Sequence, residues 1–117
     1  VLTNYDNIPQ ELKDIKAWIV WKLEDVGAKK PTKVPYSIAG TLANVNDPST
    51  WCSFADAVSN APNYSGIGFV FTNNDQFTFI DLDDTSGDQI AQKRQIDIFR
   101  EFDSYSERSP SGKGCHI

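Results

Sequence analysis

Two cysteines and one histidine are all that this 117-residue chain offers to a zinc site or a disulfide framework. Cys52 and Cys115 stand far apart in sequence, which argues against a cystine scaffold and for a reducing cytoplasm. His116 is the penultimate residue, so a mechanism built on a His–His pair must look beyond this chain. No apolar run approaches the roughly 20 residues of a membrane helix. The acidic stretch Val1–Asp14 has no apolar core, which argues against a signal peptide at this start. Basic charge is also scarce, at 11 Lys+Arg against 16 Asp+Glu, a net charge of −5. That balance disfavours wrapping duplex DNA, where affinity comes largely from cations on phosphates. The deficit is uneven, because residues 1–40 carry six lysines against five acids and residues 41–117 five basic residues against eleven acids. Clustered acids can be a cation site, so net charge alone does not settle the partner.

What remains is ordinary for a globular domain, with 39% apolar and 23% charged residues. The length predicts one domain with one core over 1–117. Ile8 to Lys16 reads as a short helix, with Pro9 in its first turn and Ile8, Leu12 and Ile15 at helical spacing. Ala17 to Leu23, rich in aromatic and β-branched residues, reads as a strand. Trp18 and Trp21 then fall on opposite faces and form no common stacking platform, whereas Tyr36 beside Pro35 could stack on a base. Glu24–Lys33 is a polar loop, and Lys33–Ser37 is extended. Asp47-Pro48 signals a helix start, with Trp51, Phe54, Ala55 and Val58 on one face and a stop near Asn60–Pro62. On that helix Cys52 is expected to be buried and inert. Gly66–Thr72 and Gln76–Leu82, separated by Asn73-Asn74-Asp75, read as a hairpin. Gln89–Phe102 reads as a helix with Ile90, Ile98, Phe99 and Phe102 turned inward. Ser104–Arg108 reads as a strand, Ser109–Gly114 as a loop, and Cys115-His116-Ile117 as the opening of another strand. The fold class is α/β, with helices and strands mixed.

Two constellations carry chemistry. In Phe77-Thr-Phe-Ile-Asp81-Leu-Asp83-Asp84 a hydrophobic strand delivers acids at i and i+2, so both carboxylates share a face. Paired carboxylates repel unless a cation lies between them, and their oxygens suit Mg²⁺ or Mn²⁺. Two such ions can clamp the attacking and leaving oxygens of a phosphoryl transfer. Taken alone, the acids equally suit a solvated strand end. Asp81-Leu-Asp-Asp-Thr85 also matches the DxDxT opening of haloacid-dehalogenase-like phosphatases, a fold that normally begins with this strand instead of reaching it after 80 residues. In the second constellation, Ser109-Pro-Ser111-Gly-Lys113-Gly-Cys-His116, hydroxyls, backbone N–H groups and a lysine suit a triphosphate. A Walker A loop is excluded, since Glu107 stands where its first glycine belongs and Gly114 follows the lysine. By themselves the loop could be a plain turn and His116 a satisfied strand histidine.

The order of the two motifs resembles the archaeo-eukaryotic primase superfamily, in its primase-polymerase branch from phages and plasmids. Phe79, Ile80, Asp81 and Asp83 match that family's hydrophobic Asp-x-Asp motif, and Ser111, Gly112, Gly114 and His116 its Ser-Gly…Gly-x-His motif. Trp18–Lys22, Lys33–Tyr36, Asp47–Trp51 and Gly66–Val70 look like its phage members. The resemblance implies an α+β catalytic fold with an RNA-recognition-motif-like half, present here as its N-terminal part and truncated before the last strands. It implies that Asp81 and Asp83 hold two Mg²⁺ or Mn²⁺ ions, with Asp84 on the opposite strand face. Ser111, Lys113 and His116 would contact the nucleotide triphosphate, with Ser109 and Lys33 as further candidates; Lys22, Lys29, Lys30 and Lys33 would be what remains of a template surface. The implied activity is primase-polymerase nucleotidyl transfer to a 3′-hydroxyl in mobile-element DNA replication, in a cytoplasm. The partners would be single-stranded template, nucleoside triphosphates and a helicase domain or subunit. The third acidic motif of the family would lie beyond Ile117, leaving the piece inactive alone. The alternatives are a non-catalytic remnant that binds a nucleotide or a partner, and the phosphatase.

Overall fold

The aromatic and β-branched run Trp18–Glu24 forms β1, the middle strand of a three-stranded antiparallel sheet ordered β2-β1-β3. Its partners are β2 (Thr32–Tyr36), with Val20 opposite Tyr36, and β3 (Gly66–Phe69), with Val20 opposite Ile67. The computed structural model describes residues 4–27, 29–83 and 87–117. It is an α+β protein whose described strand pairs are all antiparallel. It divides into two compact units, Leu2–Asn73 and Asn74–Ile117.

In the first unit β1 is buried on both faces at its start. Trp18 meets the rings of Phe54 and Phe69 edge-on at 5.1 and 5.2 Å, and its indole N–H donates to the Leu12 carbonyl. On the other face Ile19 joins Ala17 and Val70 in a core flanked by Ile15, Ala43 and Trp51. Edge-to-face ring pairs are worth about 0.5–1.5 kcal/mol beyond area burial, so Trp18 anchors this unit. The first helix is one turn, α1 (Gln10–Lys13), shorter than the periodicity suggests. Its shortening has a visible cause: the Leu12 carbonyl accepts both from Trp18 and from the Ile15 amide, closing the turn early.

The helix expected from Asp47 is broken in two. Asp47 caps only a 3₁₀ turn, Pro48–Thr50, accepting from the Ser49 amide at 3.0 Å. Cys52 then exchanges two backbone hydrogen bonds with Trp18, at 2.7 and 3.0 Å, and this strand-like bridge cannot coexist with helix. The helix proper, α2 (Phe54–Asn60), restarts with Ser53 as its cap. Trp51 is therefore extended and half-buried, its indole donating to the Asn44 carbonyl at 2.9 Å. Cys52 is buried, as expected, but on a bridge and not on a helix.

Of the expected hairpin, Gly66–Thr72 falls in the first unit and Gln76–Leu82 in the second, and each is described within its own unit. The Asn73-Asn74 turn is present, yet β3 pairs with β1. The second run leads into β4 (Asp81–Asp83), which pairs with β6 (Gly114–His116). The second unit is ordered β4-β6-β5, with β5 at Glu107–Arg108, and contains α3 (Gln89–Phe102). Helix α3 has the expected span. Its Asp88 cap accepts from the Ile90 amide at 3.0 Å, and it stops at Asp103, whose φ of 45° is left-handed. The expected inward face is not buried: Ile90, Phe99 and Phe102 are 71%, 43% and 54% exposed, and only Ile98 is half-buried. The strands of this unit are two or three residues long and offer too little apolar area to cover that stripe. Among the described residues no helix is long and apolar enough to cross a membrane.

Burial, with a smaller contribution from the Asp56 carboxylate, raises the Cys52 thiol pKa above its ordinary value, and Lys16 partly opposes this. The neutral thiol therefore contributes stability that is complete below the unfolded-state pKa and lost as pH rises through the folded one. The urea midpoint should fall above about pH 8.5, where an unfolded thiol ionises, and fall less in Cys52→Ala. At neutral pH a thiol reagent should label half-buried Cys115 first and Cys52 only on unfolding.

Candidate active site

The middle strand of the second sheet sets the geometry. β6 places His116 opposite Asp81 of β4 on one side and opposite Glu107 of β5 on the other. Residues directly across an antiparallel ladder share a face, so Asp81, His116 and Glu107 form one row. Asp83, two residues beyond Asp81, lies on that face as well, opposite Gly114. His116 Nε2 stands 3.5 Å from Asp81 Oδ1, with the imidazole 21% and the carboxylate 58% exposed. At that distance and exposure the contact orients the ring, and when the imidazole is protonated it adds about 0–1 kcal/mol. Phe79 packs edge-on to the imidazole at 5.2 Å and completes its positioning.

Gly114 makes this register possible. A Cβ at that position would strike the Leu82 carbonyl oxygen and crowd the Asp83 Cα, so any side chain would push β4 and β6 apart. The loop that leads into β6 is tied internally. Ser109 accepts from the Gly114 amide at 2.9 Å through its hydroxyl, and its own amide donates to the Gly114 carbonyl at 3.0 Å. Ser111 and Ser109 share a hydroxyl hydrogen bond of 3.1 Å, and Ser111 accepts from the Lys113 amide at 3.3 Å. Gly112 turns the chain with φ at 75°, the left-handed region that glycine enters without steric cost. Lys113 is exposed and lines an open groove of about 460 Å³ with Arg108 of β5 and with Ile96 and Phe99 of α3.

The structure thus brings Asp81, Asp83 and His116 together on one sheet face and joins them by chain to the Ser109–Ser111–Lys113 loop. Lys33 lies in the first unit, on β2, with its ammonium 5.4 Å from the Trp21 ring. Asp84 and Thr85 lie outside the described residues. Glu107 is the residue that sequence reasoning missed. The two flanking strands and the Ser109–Gly114 loop were both legible, and folding them symmetrically about that loop sets residue 107 opposite residue 116. The carboxylate of Glu107 accepts from the Tyr105 hydroxyl at 2.7 Å, and burial together with this bond pushes the Tyr105 pKa up.

The donor set agrees with a hard divalent ion as far as it goes. Asp81 and Asp83 are solvent-exposed oxygen donors on one face, the chemistry that Mg²⁺ and Mn²⁺ select. Among the described residues no group of three or more His, Cys, Asp or Glu gathers at metal-holding distance. Glu107 is two strands from Asp81, about 9–10 Å by sheet spacing, and its carboxylate is engaged by the Tyr105 hydroxyl. The pair fits part of a ligand set.

No family model matches the chain. Over 105 residues it is 36% identical to a DNA primase-polymerase of Nitratiruptor phage NrS-1. By sequence, the chain is a relative of phage primase-polymerase. The match covers 86% of this chain, so both units take part in the similarity. The chain spans 14% of the phage primase-polymerase's length.

Gly114→Ala tests whether the β4–β6 approach holds the site. Overpacking of this kind costs about 1–3 kcal/mol. The variant should lower the urea midpoint accordingly and abolish the cross-strand nuclear Overhauser effects between Asp81 and His116. An unchanged pattern would mean that the register does not depend on Gly114.

Proposed function

We propose that residues 1–117 form part of a primase-polymerase catalytic domain that transfers nucleotides from NTP or dNTP to a 3′-hydroxyl. What supports this reading is the ladder register that sets Asp81 opposite His116 with Asp83 on the same face, at the end of the Ser111–Lys113 loop. Similarity to a phage DNA primase-polymerase supports it independently and favours it over the DxDxT phosphatase. The reaction is attack of a 3′-hydroxyl on the α-phosphate with loss of pyrophosphate, including primer initiation from two nucleotides.

Asp81 and Asp83 would hold Mg²⁺ or Mn²⁺, which when bound polarises the phosphate and favours the ionised 3′-hydroxyl. The remaining roles belong to the chain itself. His116, aligned by Phe79 and Asp81, donates a charge-assisted hydrogen bond to a phosphate oxygen and is not a general base. Lys113 supplies a mobile point charge, and the tied loop presents Ser111 without a large ordering cost. Ser109 holds the loop closed against Gly114 and acts on the nucleotide through that geometry. On this reading the partners are a single-stranded template and nucleoside triphosphates, in the cytoplasm of a host cell. A helicase domain or subunit would supply the unwound template.

Mn²⁺ titration followed by paramagnetic NMR broadening tests the metal role. Resonances of Asp81, Asp83 and His116 should broaden first, and the Asp81→Asn/Asp83→Asn variant should lose that selectivity. Equal broadening in both proteins would sink the metal assignment. Two carboxylates alone hold an ion weakly, so residues 1–117 by themselves should give no primer extension with Mg²⁺ or Mn²⁺. Robust extension in a template-directed assay would refute the claim that the ligand set is incomplete.

A further inference from the structure

The first unit carries its own arrangement of charge and aromatic rings. Lys22 of β1 places its ammonium 5.0 Å from the Tyr64 ring centroid and 5.7 Å from that of Tyr36. The two rings stand 6.0 Å apart and are tilted by 41°. Both are tethered by their hydroxyls: Tyr36 donates to the Glu24 carboxylate, and Tyr64 donates to the Ser37 carbonyl at 3.4 Å. The rings are half-buried and Lys22 is exposed. Trp21 is on the opposite face of β1 with Lys33 over its ring, so it does not belong to this patch.

Charge gives the patch a direction. The β1–β2 segment 18–36 holds Lys22, Lys29, Lys30 and Lys33 against only Glu24 and Asp25, in a chain whose net charge is −5. Lys29, Lys30 and Lys33 are exposed. Within this segment lysines outnumber acids, so its local field favours a polyanion.

We propose that the Lys22–Tyr36–Tyr64 patch binds a single strand of nucleic acid, stacking an unpaired base on tyrosine while Lys22 moves onto a phosphate. The proposal rests on the primase-polymerase reading, to which it adds a place where template is gripped. Rings already held by their hydroxyls lose little freedom when a base stacks on them. An ammonium poised over two ring faces is within a side-chain rotation of a backbone phosphate beside those faces. Duplex DNA keeps its base faces stacked inside and can use only the lysines. An acidic peptide likewise could pair with the lysines and would leave the tyrosine faces unused.

The test is fluorescence anisotropy of a labelled oligothymidine at low ionic strength, beside a duplex of equal length. Tyr36→Ala and Tyr64→Ala should each weaken the single strand by about 5- to 150-fold, the range for loss of one stacked base, with the salt dependence unchanged. Tyr36→Phe, which keeps the ring and loses its tether to Glu24, should bind more tightly than Tyr36→Ala and less tightly than the unmodified protein. Lys22→Gln, at an exposed position, should reduce the slope of log K against log salt by about 0.7. The proposal fails if duplex binds as tightly as single strand, if Lys22→Gln leaves affinity and slope unchanged, or if the unmodified chain binds no oligothymidine. Mn²⁺ broadening on the same samples separates the two ideas. Intact broadening without strand binding removes the patch alone, whereas strand binding without selective broadening removes the metal site alone.

Discussion

Everything at the candidate active site follows from how closely β6 runs beneath β4 at Gly114. Because Gly114 carries no side chain, the two backbones can approach closely beside the Leu82 carbonyl, and the register they adopt puts His116 across from Asp81. A slip of one residue would send His116 to the face that carries Cys115 and Leu82, away from both carboxylates. The Ser109–Gly114 hydrogen bonds hold the incoming loop to the same register from the other side. The motif glycines and serines thus serve geometry first, and the chemistry of Asp81, Asp83 and His116 depends on it.

The two units are stabilised by different means. In Leu2–Asn73, a central strand takes hydrogen bonds from β2, β3 and the Cys52 bridge, and Trp18 fills one face of it with aromatic contacts. In Asn74–Ile117, short strands carry polar chemistry on one face, while α3 keeps Ile90, Phe99 and Phe102 exposed. Apolar burial contributes roughly 25 cal/mol per Å², so an element that leaves its stripe exposed gains little from packing. The described site accordingly sits on the less consolidated of the two units.

Local chemistry was legible wherever a residue acts on its neighbours in sequence. The strand at Trp18, the helix at Gln89–Phe102, a strand through Asp81-Leu82 and the one opening at Cys115-His116 all follow from side-chain shape and period, and the α+β class follows from their mixture. The Asp47-Pro48 start was legible too, but its helix was cut short by bonds from Cys52 to Trp18, which lie far apart in sequence.

By itself the sequence determined the candidate residues Asp81, Asp83, Ser111, Lys113 and His116, since their chemistry and spacing are covalent facts of the chain. Tertiary structure alone decided that Asp81 faces His116 at 3.5 Å, that Glu107 completes the row, and that Tyr64 joins Lys22 and Tyr36 from a distant segment. The first two relations are pairings between strands, set by which backbone edges meet and which positions tolerate close approach, and the third brings in Tyr64 from the turn before β3. Side-chain period carries no record of either, because it reports only which face a residue occupies within its own strand.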